Sequence, residues 1–248
     1  SNDALPEDHY KMLEDADKIV VFGLQAHQTG FNTPNEVIAD YVKRDPIRLE
    51  GWASVNPTSE NARAEFEYAI DDLKLKGLKV GPAYQHFDPR DEKYWDLFEQ
   101  CEKRDLPVMI HMGTTYPSKA KIALSQPLLL EELILNFPNL RMIIAHLAHP
   151  WEEDAIALIR KSPNVYADIS ALHFRKWRFY QALTTAFEYG AVHKLLFGSD
   201  FANSTVKAAI TGLRNVNSIV EGTKFPQFPE NCIDDILHNN WQRFFGIE

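Results

Sequence analysis

The sequence predicts an α/β protein in which helices cover a parallel sheet, and two observations support this prediction. Short apolar runs that stop at Gly, Pro or a polar residue alternate along the chain with segments of helical periodicity. The runs are apolar throughout, so both faces of each strand are expected to be buried, as in a parallel sheet between helices. No linker, repeat array or low-complexity segment divides the chain, and a single domain over residues 1–248 is expected.

The apolar runs define seven strands, which are expected at residues 19–24, 49–55, 78–81, 107–112, 140–147, 164–170 and 194–200. Helices are predicted around and between them at residues 6–16, 34–44, 59–75, 91–104, 127–137, 151–160, 176–189, 205–220 and 230–245. A helix precedes the first of these strands, so one strand in front of that helix would make eight. Eight strands close a distorted TIM (β/α)8 barrel, whose first strand is expected to be absent from the sequence given.

Composition excludes several classes of protein. The formal net charge of -9 argues against non-specific binding to nucleic acid or to an anionic membrane. No apolar run approaches the roughly 18 residues that a membrane span needs, and no signal-peptide pattern opens the chain. Cys101 and Cys232 lie far apart and outside any metal or redox spacing, so a cytoplasmic protein without a disulfide is expected.

Three of the predicted strands end at a residue that can bind a metal or move a proton. These residues are His111, His146 and Asp200. In a closed barrel the carboxyl ends of the strands converge on one mouth, where catalysis takes place. Two imidazoles and a carboxylate suit one divalent metal, with zinc the expected ion, that would activate a water at neutral pH. Each residue alone also fits a structural role, but their recurrence at strand ends favours a shared site.

Other polar residues near strand ends have two interpretations each. Lys79 would bind a substrate carboxylate or pair with an acid, and His173 would line the mouth or serve a structural role. His149 is expected to mark the entry of a helix rather than to bind a ligand, and Asp168 to cap or pair inside the barrel. A serine hydrolase lacks support because no Gly-x-Ser-x-Gly motif is present.

The chain resembles the amidohydrolase superfamily over nearly its whole length, in particular the amidohydrolase-2 group of metal-dependent hydrolases and the related aminocarboxymuconate-semialdehyde decarboxylases. Five segments carry the resemblance: Gly77–Val80, Pro107–Gly113, Ala145–Trp151, Asn164–Ser170 and Leu196–Asp200. The family implies a distorted TIM barrel with one divalent metal, usually zinc.

The resemblance also implies roles for individual residues. His111 would be a metal ligand, and His146 would be a ligand or the acid/base that polarises water or substrate. Asp200 would bind the metal and take the proton of the attacking water. The family carries a His-x-His pair on its first strand, and this sequence has no such pair. Either that strand lies outside the sequence given, which is the favoured explanation, or the chain is a divergent member.

Three functions are therefore open. The leading one is a metal-dependent hydrolase acting on an amide, ester or lactone bond of a small molecule. The second is a non-oxidative, metal-dependent decarboxylase of an aromatic or unsaturated carboxylic acid. The third is an inactive barrel that binds a ligand or a partner. Whether the chain forms a homo-oligomer is left open by the sequence.

Overall fold

A computed structural model describes residues 5–247 and contains a parallel sheet of seven strands. We label the strands of this sheet β1 to β7 in chain order. Their bounds are β1 Ile19–Phe22, β2 Leu49–Ser54, β3 Leu78–Val80, β4 Val108–Ile110, β5 Met142–Ile144, β6 Val165–Asp168 and β7 Leu195–Leu196. All seven predicted strands are thus present, each shorter than expected.

Each strand of the sheet pairs in parallel with the strand that follows it in the chain. The ladder begins with Ile19 beside Leu49 and ends with Asp168 beside Leu196. Within residues 5–247, β1 has one neighbour in this sheet and so does β7. The fold is a curled barrel-like sheet, and the prediction of a distorted TIM barrel is confirmed.

Side chains alternate between the inside of the curled sheet and its helical shell. The inner cluster contains one or two apolar residues from β1, β2, β4, β5, β6 and β7, closed by aromatic residues of the last helix; its members include Val20, Phe22, Trp52, Met109, Ile143, Tyr166, Leu196 and Phe244. The larger outer cluster contains the alternate strand residues, such as Leu78 and Val80. Side chains alternate along a strand, so Lys79, between Leu78 and Val80, lies on the inner side.

Eleven α-helices are described, at Pro6–Tyr10, Asn35–Val42, Ala62–Glu67, Pro82–Gln85, Asp96–Lys103, Glu131–Asn136, Glu152–Lys161, Lys176–Glu188, Val206–Arg214, Glu230–Asp234 and Asn240–Phe245. Among residues 5–247, none of the helices has the length and apolar character needed to cross a membrane.

Several predicted helices are divided in the structure. The helix expected over 59–75 ends at Glu67 and continues as a π-helical turn, Tyr68–Asp72. The helix expected over 205–220 ends at Arg214 and is followed by a 3-10 turn, Val216–Val220. A two-stranded hairpin, Gln25–Ala26 with Phe31–Asn32, follows β1 where only a loop was predicted.

Candidate active site at the strand ends

The residues predicted from the strand ends lie at the carboxyl edge of the sheet. His111 follows β4 directly, and His146 lies two residues beyond the end of β5. Asp200 lies four residues beyond β7, in a turn where its φ of 56° is left-handed. Since the strands are parallel, these three positions share one end of the sheet.

The structure brings His111 and His146 into contact. Their rings meet edge to face with centroids 5.1 Å apart. Nε2 of His111 lies 3.1 Å from the carbonyl oxygen of Thr114 and donates its hydrogen there, so the lone pair of the neutral ring is on Nδ1. Burial, with His146 and Lys79 nearby, holds the pKa of His111 well below its usual 6.5. A neutral imidazole is the form that binds metals.

His146 is held by residues that follow β6. Its backbone N–H donates to Oδ1 of Asp168 over 3.2 Å, and its Nδ1 lies 2.8 Å from Oγ of Ser170. Oδ1 of Asp168 also accepts the backbone N–H of Ser170 at 2.9 Å and the Ser170 hydroxyl. The expectation that Asp168 pairs inside the barrel is met by these bonds.

The turn that carries His146 has an unusual backbone. His146, Leu147 and Ala148 have φ values of 55°, 44° and 51°, in the left-handed region. A left-handed conformation costs about 1–2 kcal/mol for each residue that has a Cβ. The bond to Asp168 offsets part of this cost, and the turn therefore depends on β6.

Asp200 is held by its own turn. One carboxylate oxygen, Oδ2, accepts the side-chain amide of Asn203 at 2.9 Å, and the Asp200 carbonyl accepts the Asn203 backbone N–H at 2.8 Å. The Asp200 carboxylate opposes the lowering of the Lys79 pKa and adds to the raising of the Tyr84 pKa.

Lys79 is the buried cation of this site. It lies in the middle of β3 rather than at its end, is 6% exposed, and has its Nζ 4.8 Å from the centre of the Phe22 ring. Burial lowers the pKa of Lys79 to about 8, against the opposing influence of Asp168 and Asp200. Across the described part of the chain, its Nζ makes neither a hydrogen bond nor an ion pair, and Asp168 and Asp200 act on it only through their charges.

His173 and His149 lie in other surroundings. Nε2 of His173 is 3.1 Å from Oγ of Ser204, in the turn that follows Asp200, and its ring stacks on Phe174. Nδ1 of His149 lies 2.6 Å from Oε1 of the buried Glu152. His149 therefore stands at the entry of the helix Glu152–Lys161, in agreement with its predicted role.

Sequence reasoning missed two residues of the site, Tyr84 and Ser170. The Tyr84 ring meets His111 edge-on, and burial, with the nearby Asp200 carboxylate, raises the pKa of Tyr84 to about 12. Both residues follow a strand end within four positions, at Val80 and Asp168, and that position was the available signal.

The described residues do not by themselves complete a metal site. Within residues 5–247, no three His, Cys, Asp or Glu side chains are grouped so that they could hold an ion. His111 and His146 provide two neighbouring imidazoles, but Asp200 does not join them as a third donor. The ligand set of His111, His146 and Asp200 stays a prediction, and a metal here requires further donors.

The curled parallel sheet has a polar site at the carboxyl ends of its strands. These two features are those of the TIM-barrel class of proteins. A family model described as Amidohydrolase matches residues 3–247. The chain belongs to this amidohydrolase family, which confirms the resemblance and the expectation of an amidohydrolase-type enzyme.

One curated relative is a dihydroorotase from Helicobacter pylori (strain HPAG1). It is 32% identical over 122 residues, which cover 47% of this chain and 34% of the relative. The match therefore spans only about a third of the length of that relative.

Solved structures share the fold at low identity. A TIM-barrel protein from Bordetella bronchiseptica has a TM-score of 0.76 at 19% identity, covering 97% of this chain and 82% of that one. A probable 2-pyrone-4,6-dicarboxylic acid hydrolase from Acinetobacter baumannii, with citric acid bound, has a TM-score of 0.67 at 17% identity. The match covers 98% of this chain and 89% of that one. A dihydroxybenzoic acid decarboxylase from Polaromonas, with manganese and the inhibitor 2-nitroresorcinol bound, has a TM-score of 0.61 at 20% identity. The match covers 86% of this chain and 74% of that one.

Proposed function

We propose that this protein is a metal-dependent hydrolase that cleaves an amide, ester or lactone bond of a small molecule bearing a carboxylate. The observation that carries the proposal is the buried ammonium of Lys79, which makes no hydrogen bond or ion pair among the described residues although the charges of Asp168 and Asp200 act on it. A buried charge is costly unless it is paired, so this position suits the carboxylate of a bound ligand.

The side chains around Lys79 have complementary properties. Asp200 has one carboxylate oxygen bonded to Asn203, which leaves Oδ1 to accept a proton during hydrolysis. His146 is hydrogen-bonded at Nδ1, and within residues 5–247 its Nε2 has no hydrogen-bond partner. Nε2 is therefore the nitrogen through which His146 would act. Lys79 would orient the substrate by its carboxylate, and His173, which bonds to Ser204 in the turn after Asp200, would contribute to substrate binding.

A divalent metal is part of this proposal. His111 and His146 are two neighbouring imidazoles of the kind that zinc and manganese accept, and the Polaromonas decarboxylase of the same fold holds manganese. The expected ion is zinc. Metal analysis of the purified protein, with dialysis against a chelator and re-addition of zinc or manganese, tests whether one ion binds for each chain.

A second candidate function is the decarboxylation of an aromatic carboxylic acid. The aromatic rings of Phe22, below Lys79, and Tyr84, beside His111, favour a flat ring next to the carboxylate that Lys79 would hold. Release of carbon dioxide from hydroxybenzoic acids would support decarboxylation, whereas hydrolysis of cyclic amides or lactones that carry a carboxylate would support the first function.

The role of Lys79 has a matched control in the same chain. Lys194 is also a buried lysine over an aromatic ring, with a pKa lowered to about 8 by burial, but it precedes β7 at the opposite end of the sheet and bonds to the carbonyls of Ser162 and Pro163. Lys79→Met should raise KM for the carboxylate substrate at least tenfold, and Lys194→Met should leave KM unchanged. Equal KM values for Lys79→Met and the unsubstituted protein would contradict the proposal, and binding without turnover would indicate an inactive barrel.

A further inference from the structure

The hydrogen bonds behind His146 form a continuous chain from a buried carboxylate to the imidazole. Oδ1 of Asp168 accepts the hydroxyl hydrogen of Ser170, and Oγ of Ser170 lies 2.8 Å from Nδ1 of His146. Asp168 and Ser170 are both 5% exposed, so water does not compete freely for these bonds.

The direction of each bond follows from the groups that take part. An ionised Asp168 can only accept, and the hydroxyl of Ser170 has one hydrogen, which it donates to Asp168. The hydroxyl oxygen must therefore accept from His146, whose Nδ1 carries the hydrogen. The carbonyl oxygen of Ser170 lies farther from the same Nδ1, at 3.3 Å, so it is a weaker acceptor for the same hydrogen than the hydroxyl oxygen.

We propose that Ser170, supported by Asp168, is a positioning residue that fixes His146 as the Nδ1–H tautomer and leaves the lone pair on Nε2. The inference rests on the proposed function insofar as it gives His146 a part in the reaction. A free neutral imidazole favours the opposite tautomer, with the hydrogen on Nε2. Ser170 therefore selects the form in which Nε2 can accept a proton or bind a cation.

The packing around Ser170 supports this role. Gly198, two residues beyond the end of β7, lies against it, and a Cβ at Gly198 would lie 3.0 Å from Cβ of Ser170 and 3.6 Å from Oδ1 of Asp168. The glycine of the Phe-Gly-Ser-Asp segment therefore provides the space that Ser170 occupies. Gly198→Ala would disturb the hydrogen-bond chain without removing any of its members.

The test is the tautomer of His146, measured by two-bond 1H–15N NMR correlation on metal-free protein labelled at histidine and assigned with His146→Gln. The unsubstituted protein should show a hydrogen on Nδ1 of His146 and none on Nε2 near neutral pH. Ser170→Ala should shift His146 toward the Nε2–H form, and Ser170→Thr, which keeps the hydroxyl, should restore the original pattern. Ser125→Ala removes a buried hydroxyl that has no hydrogen-bond partner among the described residues and should leave the His146 signals unchanged.

A hydrogen on Nε2 in the unsubstituted protein, or the same tautomer in Ser170→Ala, would overturn the proposal. Turnover measured in parallel distinguishes a failure of the positioning role from a failure of the proposed function. We expect Ser170→Ala to lose about tenfold to hundredfold in kcat, as is typical when a supporting hydrogen bond to a site histidine is removed. The expected tautomer in a protein without turnover would leave the positioning role intact and contradict the proposed function. Full turnover with the hydrogen on Nε2 would contradict the positioning role and leave the proposed function intact.

Discussion

The ring of Tyr84 contacts the imidazole of His111 edge-on, with the two centroids 4.7 Å apart. Both side chains are buried, at 7% and 8% exposure, so this contact joins the short helix after β3 to the end of β4. The position of His111 therefore depends on an aromatic neighbour as well as on its own strand.

Removing the Tyr84 ring should destabilise the fold more than removing its hydroxyl. Tyr84→Ala should lower the free energy of unfolding by about 3 kcal/mol, as other aromatic truncations in cores do, because it leaves a cavity beside His111. Tyr84→Phe keeps the edge-on contact and should change this free energy by less than about 1 kcal/mol. Urea denaturation of both variants provides the measurement, and equal losses would show that the ring contact contributes nothing.

Substrate binding should weaken above pH 8. Lys79 has a pKa of about 8, and only its charged form attracts a carboxylate, so KM for the substrate should rise as the pH increases from 7 to 9. The pH dependence of KM in the unsubstituted protein is the measurement. Lys79→Met should show a high KM without this rise, and a KM that falls with pH would contradict the assignment.

The same pKa gives Lys79 an effect on stability. An unfolded lysine keeps its proton up to about pH 10.5, whereas buried Lys79 loses it at about 8, so the unfolded chain binds more protons between these values. The free energy of unfolding should therefore gain a contribution that increases from pH 8 to 10.5. Lys79→Met removes this dependence and should stabilise the protein at pH 7, by up to about 3 kcal/mol. A thermal unfolding series over pH 7 to 10 compares the two proteins.

Glu152 should stabilise the fold above its pKa and not below it. It is 2% exposed and accepts hydrogen bonds from His149 and Arg178. Burial acts to raise the pKa of Glu152, but the bond from His149 and the charges of His149 and Arg178 outweigh it, so the pKa lies below 4.5. The stabilisation is therefore complete above about pH 4.5, the unfolded value, and is lost as the pH falls through the folded value.

Glu152→Gln should thus cost about 2 kcal/mol at pH 7, the size expected for hydrogen bonds to a charged group, because Arg178 on the other side of the ion pair is exposed. The difference from the unsubstituted protein should narrow as the pH falls below 4. Its exposed neighbour supplies the control, since Glu153→Gln should change stability by less than about 0.5 kcal/mol. Melting temperatures at pH 3.5 and pH 7 distinguish the two, and a Glu152→Gln effect that is constant with pH would refute the ion-pair explanation.

A methyl group at Gly77 should disrupt the inner cluster of the sheet. A Cβ there would lie 2.4 Å from Cδ2 of Trp52, which is fully buried. Gly77→Ala should therefore lower the free energy of unfolding by about 2 kcal/mol or more, as overpacking does. Gly190→Ala meets no atom within 4 Å and should cost only about 1 kcal/mol, from its left-handed φ of 69°. Denaturant midpoints of the two variants give the order of their stabilities. Equal losses of stability in Gly77→Ala and Gly190→Ala would contradict the packing argument.

The order of the strands and the positions of the residues at their ends could be predicted from the sequence. Burial on both faces produces an apolar run that can be recognised locally, and His111 follows such a run directly. The parallel arrangement then places the strand ends on one edge without further information. This reasoning located His111, His146 and Asp200 near strand ends, whereas Lys79, also expected near a strand end, lies in the middle of β3.

The contacts made by these residues could not be predicted in the same way. His146 and Asp200 lie in turns with positive φ that no glycine marks, so their directions were hidden in the sequence. The bond between Ser170 and His146 joins residues 24 positions apart and depends on the register of two strands. Tyr84 reaches His111 through a short helix that begins at Pro82, the proline of a Gly-Pro pair that the sequence indicates only as a break in the strand.

The sequential pairing of the seven strands also bears on how the chain folds. Every ladder joins two strands that are neighbours along the chain, so each parallel pair closes a loop of one helical connection rather than of the whole chain. The sheet can therefore grow by adding one strand and helix at a time to a central nucleus. Amide hydrogens of the central strands, β3 to β5, should exchange with solvent most slowly, and those of the outermost strands should exchange first.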